Sequence, residues 1–205
     1  MCINPQSSLN SFIFSICCSG FLFFRNKPFD IGNAAFIISF TTIQLLEYFI
    51  WKSIDSNNLE DNSYYTRLVP IVLFAQPLIQ TYFSYTYTKS YNLLIFIYIF
   101  MGILLYTIYT INNFNYKSVK GPNKHLIWYK IDKISNEKSI VIQRYFFGYI
   151  YLIGMGIGLY YTGNYLLLSY GIGSFLFILN NYSEDEFSSM WCFVAIGYSL
   201  LCIFM

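Results

Sequence analysis

Glu47 interrupts a long hydrophobic run and is the residue with the most chemistry to offer in an otherwise apolar chain. Gln44, Glu47 and Trp51 stand at i, i+3 and i+7, so a helix presents all three on one face. A carboxylate is costly among lipid tails, so it turns toward a bundle interior and marks a path for an ion, a proton or a ligand. The alternative is that Glu47 snorkels to the interface, or stays protonated and bonded to Gln44. A second polar stripe, Gln76, Gln80, Ser84 and Tyr87, repeats at i, i+4, i+8 and i+11. Pro77 lies within it and frees a backbone carbonyl one turn earlier. A kinked helix beside two glutamines suits a polar cavity at mid-membrane depth. The same glutamines also suit interhelical glue, worth about 1 kcal/mol per contact.

Four further positions have ligand chemistry. Cys2, Cys192, His125 and Glu47 are all metal-ligand types, and the topology derived below collects them at one end of the bundle. No spacing motif binds them together. The competing reading is a pair of unreacted thiols plus a loop histidine. Cys17, Cys18 and Cys202 fall within apolar runs and read as buried, apolar side chains.

The elements that must position these residues are legible from hydropathy. The chain has 205 residues, 56% hydrophobic and 11% charged, with a mean hydropathy of +0.48. A soluble domain carries about twice that charged share. The expected fold is therefore all-α, a polytopic transmembrane bundle forming one domain over residues 1–205. Its seven spans are read as Phe12–Phe24, Ile31–Trp51, Leu68–Thr88, Leu93–Ile111, Tyr145–Tyr161, Tyr165–Leu179 and Phe187–Met205. Continuous apolar runs, rather than ten-residue alternating ones, select helices over a barrel. The first run resembles a signal peptide in length. Its leader lacks Lys and Arg, and Arg25-Asn26-Lys27 follows it, so it reads as a permanent helix.

Loop charge sets the orientation. The loop 112–144 holds seven basic residues, and Lys52 and Arg67 bring the total on its side to nine of the twelve. Arg25, Lys27 and Lys89 fall on the other side. The positive-inside rule puts the N-terminus in the cytoplasm and the C-terminus opposite. Within the loop, His125–Ile131 and Ser139–Ile142 are β-prone runs around Asp132–Lys138, which suits a small hairpin. The rival is an interfacial amphipathic element rich in lysine. Gly154 and Gly158 form a GxxxG, with Gly148, Gly171 and Gly173 nearby. These read as close helix packing, including a homo-oligomer through Gly154/Gly158, rather than as a phosphate loop.

At the same residues the chain resembles a family of small multi-spanning membrane proteins, mostly bacterial, whose members begin Met-Cys-Phe-Ser-Ala. Here Cys2 and Ser8 match that start and the residues between depart from it. The family's Q-x-x-E-x-x-x-W helix is matched by Gln44, Glu47 and Trp51, with Tyr48 where glycine is usual. Its Gly-His-Leu loop is echoed by Gly121 and His125-Leu-Ile-Trp128-Tyr129, and its closing Trp-Cys-Phe-x-Ala by Trp191 to Ala195. The resemblance implies the same helical bundle and carries no established activity.

Several classes are excluded. A net charge of +2 argues against a nucleic-acid partner. The last span has no lysine for a retinal Schiff base, one histidine is too few for a histidine-rich zinc hydrolase, and an arginine ladder for voltage sensing is missing. The remaining expectations are three. The first is permeation of an ion, proton or small solute through a polar cavity between helices two, three and seven. The second is an embedded enzyme or a metal or redox site at the cytoplasmic mouth. The third is a structural or partner-binding membrane protein.

Overall fold

The computed structural model describes residues 4–113, 115–121, 124–131, 137–181 and 187–205, with backbone alone for 129–131, 137–148, 179 and 187–193. Its helices are α1 (Pro5–Arg25), α2 (Asp30–Asp55), α3 (Leu59–Thr88), α4 (Asn92–Thr110), α5 (Glu137–Tyr161), α6 (Tyr165–Asn181) and α7 (Phe187–Phe204). A 3-10 turn at Ile111–Asn113 leads into an antiparallel hairpin, β1 (Asn115–Lys120) and β2 (Leu126–Ile131).

Local chemistry explains why the helices outrun their apolar stretches. α1 starts seven residues before Phe12, because Pro5 suits the first helical position and Asn4 caps the turn, accepting from the Ser7 amide at 2.8 Å. Its buried face carries a serine ladder of Ser8, Ser11, Ser15 and Ser19, of which Ser8 and Ser11 precede the apolar run that the span was read from. The predicted polar loop over Ser53–Thr66 shrinks to a three-residue turn between α2 and α3. Asn58 caps α3 by accepting from the Glu60 and Asp61 amides, both at 3.1 Å. α3 runs 30 residues, about 45 Å at 1.5 Å per residue, so it overshoots a hydrocarbon layer of about 30 Å. Pro70 and Pro77 both lie inside it.

The hairpin exists, with different strands from those expected. β2 coincides with the predicted His125–Ile131 run, but it pairs backward with Asn115–Lys120. Ser139–Ile142 is helical and belongs to α5. β1 escaped the sequence reading because its buried position is Ser118, a polar residue satisfied by α3 rather than by an apolar layer.

Odd-numbered helices run one way and even-numbered helices the other. α2 lies antiparallel to α3, pairing Ser39 with Gln76 and Gly32 with Tyr87. α5 lies parallel to α3, because Tyr151 meets Gln76 and Gly158 meets Ser84. α7 packs on α1, α2 and α6, and the C-terminal ends of α1 and α7 are clasped by Arg25. That guanidinium bonds Asp30 at 2.6 Å and 2.8 Å and the carbonyls of Ile203 and Cys202 at 2.5 Å and 2.9 Å.

The most apolar of the long helices is the least buried. α4 and its 3-10 extension have the highest mean hydropathy of the long helices, 2.2, yet only 11% of their apolar window is buried. For α2 the figures are 1.5 and 67%. α1, α2, α3 and α4 are long and apolar enough to cross a membrane by length and composition. The described parts of the other three, Tyr149–Tyr161, Tyr165–Ile178 and Val194–Phe204, are shorter apolar helices.

The glycines of α5 are consumed within the chain. A Cβ on Gly154 would come within 2.7 Å of the Pro77 ring, and one on Gly158 within 3.1 Å of the Gln80 carbonyl. Gly171 and Gly173 face open space instead. Gly154→Ala is therefore expected to lower stability by about 1–3 kcal/mol through overpacking. Gly171→Ala is expected to be neutral or slightly stabilising. Thermal melts of the detergent-solubilised variants test both, and equal melting points would show that the α3–α5 contact is not tight.

Candidate functional site

Helix geometry delivers the two polar stripes to the interior. Gln44 and Glu47 are 0% exposed and Trp51 3%, so α2 turns this face inward while Lys52 beside it is exposed. Glu47 does not snorkel. The Thr41 hydroxyl donates to Gln44 Oε1 at 2.8 Å, extending the polar face by a turn. On α3, Gln76, Gln80 and Ser84 are buried and Tyr87 opens to the surface.

The two stripes do not stand level. The antiparallel register sets Gln76 beside Ser39, where its Nε2 donates to the Ser39 carbonyl at 3.3 Å. Glu47 lies eight residues further along α2, about 12 Å by helical rise. Its level on α3 is the apolar stretch around Val69, which packs with Ile43, Leu46, Ile50 and Trp51. Thr41 and Gln44 fill the interval. α5 contributes a wall at Gln76, with the Tyr151 hydroxyl donating to Gln76 Oε1 at 2.5 Å, while α7 packs on α2. Among 21 tyrosines the sequence offered nothing to single out Tyr151.

The end near Trp51 is capped. The Asn62 carboxamide acts as a strand edge, donating through Nδ2 to the Ser118 carbonyl at 3.1 Å and accepting from the Ser118 amide at 2.8 Å. The Thr66 and Ser118 hydroxyls lie 2.7 Å apart, also buried. Leu126 enters the Trp51 cluster, and Lys120 Nζ stands 5.9 Å from the centre of the Trp51 ring. His125 is 3% exposed. The overlong α3 thus offers its first turns as a dock for the hairpin, which lies over the end of the bundle where the sequence placed the loop and His125.

The opposite end is open. Gly32, Asn33, Gln80, Ser84, Tyr87 and Asn164 line a narrow cleft, with room for about one water molecule, between α2, α3 and the α5–α6 turn. A second, roomier cleft of about 170 Å³ shares Phe29, Asn33 and Asn164 with it and reaches Arg25 and Lys27. Asn33 was legible as an amide inside the predicted span Ile31–Trp51, but no second polar residue at helical spacing drew attention to it.

The metal constellation lies mostly beyond reach. Cys2 is outside the described residues and Cys192 is described in backbone alone. Among the described residues no three His, Cys, Asp or Glu side chains gather into a metal-holding group. The chain matches no protein-family model, no curated protein and no solved structure.

Asn62→Ala removes both bonds to the hairpin and strands a buried amide, at a cost of about 2 kcal/mol. Hydrogen exchange should then accelerate at residues 115–131 and stay unchanged in α4. Unaltered exchange at Ser118 would show that the clamp does not hold the hairpin.

Proposed function

We propose that this chain is an integral membrane protein of seven spans that passes an ion, a proton or a small solute along the polar column between α2, α3 and α5. One observation carries the reading: the most apolar long helix is the most exposed, while amides, hydroxyls and the carboxylates of Asp30 and Glu47 are buried beside the apolar core. In water that arrangement wastes the hydrophobic effect, and in lipid it is the favourable one. An intramembrane carboxylate held off the surface is a functional position before it is a structural one. Glu47, Gln44, Thr41, Gln76 and Gln80 follow one another from the hairpin-capped end toward the open cleft. The likeness of Gln44, Glu47 and Trp51 to the motif of the small membrane-protein family supports kinship with it, and all three face the column.

The orientation proposed from charge puts the hairpin in the cytoplasm and the open clefts outside. It predicts that, in a cysteine-free background, a cysteine replacing Lys27 reacts with a membrane-impermeant maleimide in intact cells. One replacing Asn57 in the α2–α3 turn should not. The reverse pattern overturns the orientation, and labelling of both in intact cells overturns the membrane topology. For permeation, Glu47→Gln keeps the shape and removes the charge. In proteoliposomes it should lower proton or cation flux at least tenfold, and unchanged flux would take Glu47 out of the mechanism.

A further inference from the structure

The roomier cleft at the hairpin-free end carries a positive charge that nothing around it answers. It holds about 170 Å³, where one water needs about 10–15 Å³. Arg25, Lys27, Asp30, Asn33 and Asn164 supply its polar lining. Asp30 is 2% exposed and its oxygens are taken. Its Oδ1 accepts Arg25 Nη2 at 2.6 Å, and its Oδ2 accepts Arg25 Nε and the Lys27 amide, both at 2.8 Å. The guanidinium neutralises this acid and spends four of its five N–H groups on it and on the Ile203 and Cys202 carbonyls. Lys27 is left over. Its side chain is exposed and makes no ion pair among the described residues. Its backbone is fixed at the cleft, because the Asp30 amide returns a bond to the Lys27 carbonyl at 3.0 Å. Among the described residues this end of the bundle carries Arg25, Lys27 and Lys89 against the single acid Asp30.

We infer that this cleft seats a monoanionic phosphodiester, the group that lipid headgroups and soluble glycerophosphodiesters share. One unanswered positive charge matches one negative charge. The guanidinium fork that suits a planar carboxylate is already filled by Asp30. What remains is a point charge on Lys27, one Arg25 N–H and the carboxamides of Asn33 and Asn164, separate donors that suit a tetrahedral group. The surroundings suit a lipid. Phe24 and Phe204, chain neighbours of the cleft-lining Arg25 and Met205, are 92% and 84% exposed. Basic pockets between spanning helices hold anionic headgroups in this way, with the acyl chains on apolar side chains beside them. The inference rests on the membrane reading and not on permeation.

Titration of the full chain in detergent micelles, read by native mass spectrometry, tests it. The probes are dioleoylphosphatidylglycerol and glycerophosphoglycerol, the same headgroup without acyl chains; dioleoylglycerol and oleate are the contrasts. One phosphatidylglycerol should bind per chain, more tightly than either contrast, and glycerophosphoglycerol should displace it. Lys27→Gln should weaken this binding about fivefold, and Lys27→Arg should leave it near the original. Asn164→Asp should weaken it at least as much. That change keeps the cap of α6, where Asn164 Oδ1 accepts the Leu167 amide at 3.4 Å, while adding a negative charge to the cleft. Lys27-dependent binding of phosphatidylglycerol supports the site with a lipid as its source, and such binding of glycerophosphoglycerol alone supports it with a soluble one. Binding of neither, equal binding of a contrast, or unchanged binding in Lys27→Gln or Asn164→Asp overturns the inference. Flotation with liposomes separates the two readings. A chain that does not float overturns the membrane reading and the lipid source together, whereas one that floats without binding a phosphodiester overturns this inference alone.

Discussion

A polar group inside a bundle must find its partner inside the bundle, and this constraint organises the whole molecule. Helices satisfy their own backbone, so the question falls on side chains and on the carbonyls that proline releases. The answers are local where they can be. Thr81 returns its hydroxyl to the Pro77 carbonyl at 2.6 Å, Ser84 to Gln80 at 2.8 Å, and Ser199 to Ala195 at 2.7 Å. Where they cannot be local they tie helices together, as in Ser19 to the Ala34 carbonyl, Gln76 to Ser39, and Tyr151 to Gln76. Each tie fixes the register of one helix pair. The antiparallel α2–α3 pair and the parallel α3–α5 pair follow from these few bonds.

Small residues make those ties reachable. The serine ladder of α1 and the glycines of α5 bring backbones close enough for short side chains to bridge them. Close approach and polar bonding are therefore one device. A larger residue at Gly158 would push away the Gln80 carbonyl and the Ser84 hydroxyl that shape the cleft beside it.

The two ends of the column are treated unequally. At one end the first turns of α3 hold the hairpin through the Asn62 amide and the Thr66 hydroxyl, both buried against Ser118. At the other, Arg25 ties α1, α2 and α7 together, and the α2–α3–α5 seam stays open above Gln80. One polar interior thus has a hairpin-covered end and an open end, and the basic residues Lys117 and Lys120 lie at the covered one.

Hydropathy and period alone determined the class of the fold, the inward face of Gln44, Glu47 and Trp51, and the stripe Gln76, Gln80, Ser84, because these depend on spacing along one helix. Helix ends were less legible. Ser8 and Ser11 on α1 and Asn62 and Thr66 at the start of α3 read as loop, although each is buried against the protein rather than facing water. Only the tertiary structure decided which stripes meet. It set Gln76 level with Ser39 rather than with Glu47, brought Tyr151 of α5 to Gln76, and paired β2 with the polar strand before it. Each of these is a choice between distant segments with similar local preferences. Long-range packing and the need to satisfy every buried polar group break such ties, and neither is written in the spacing of a single helix.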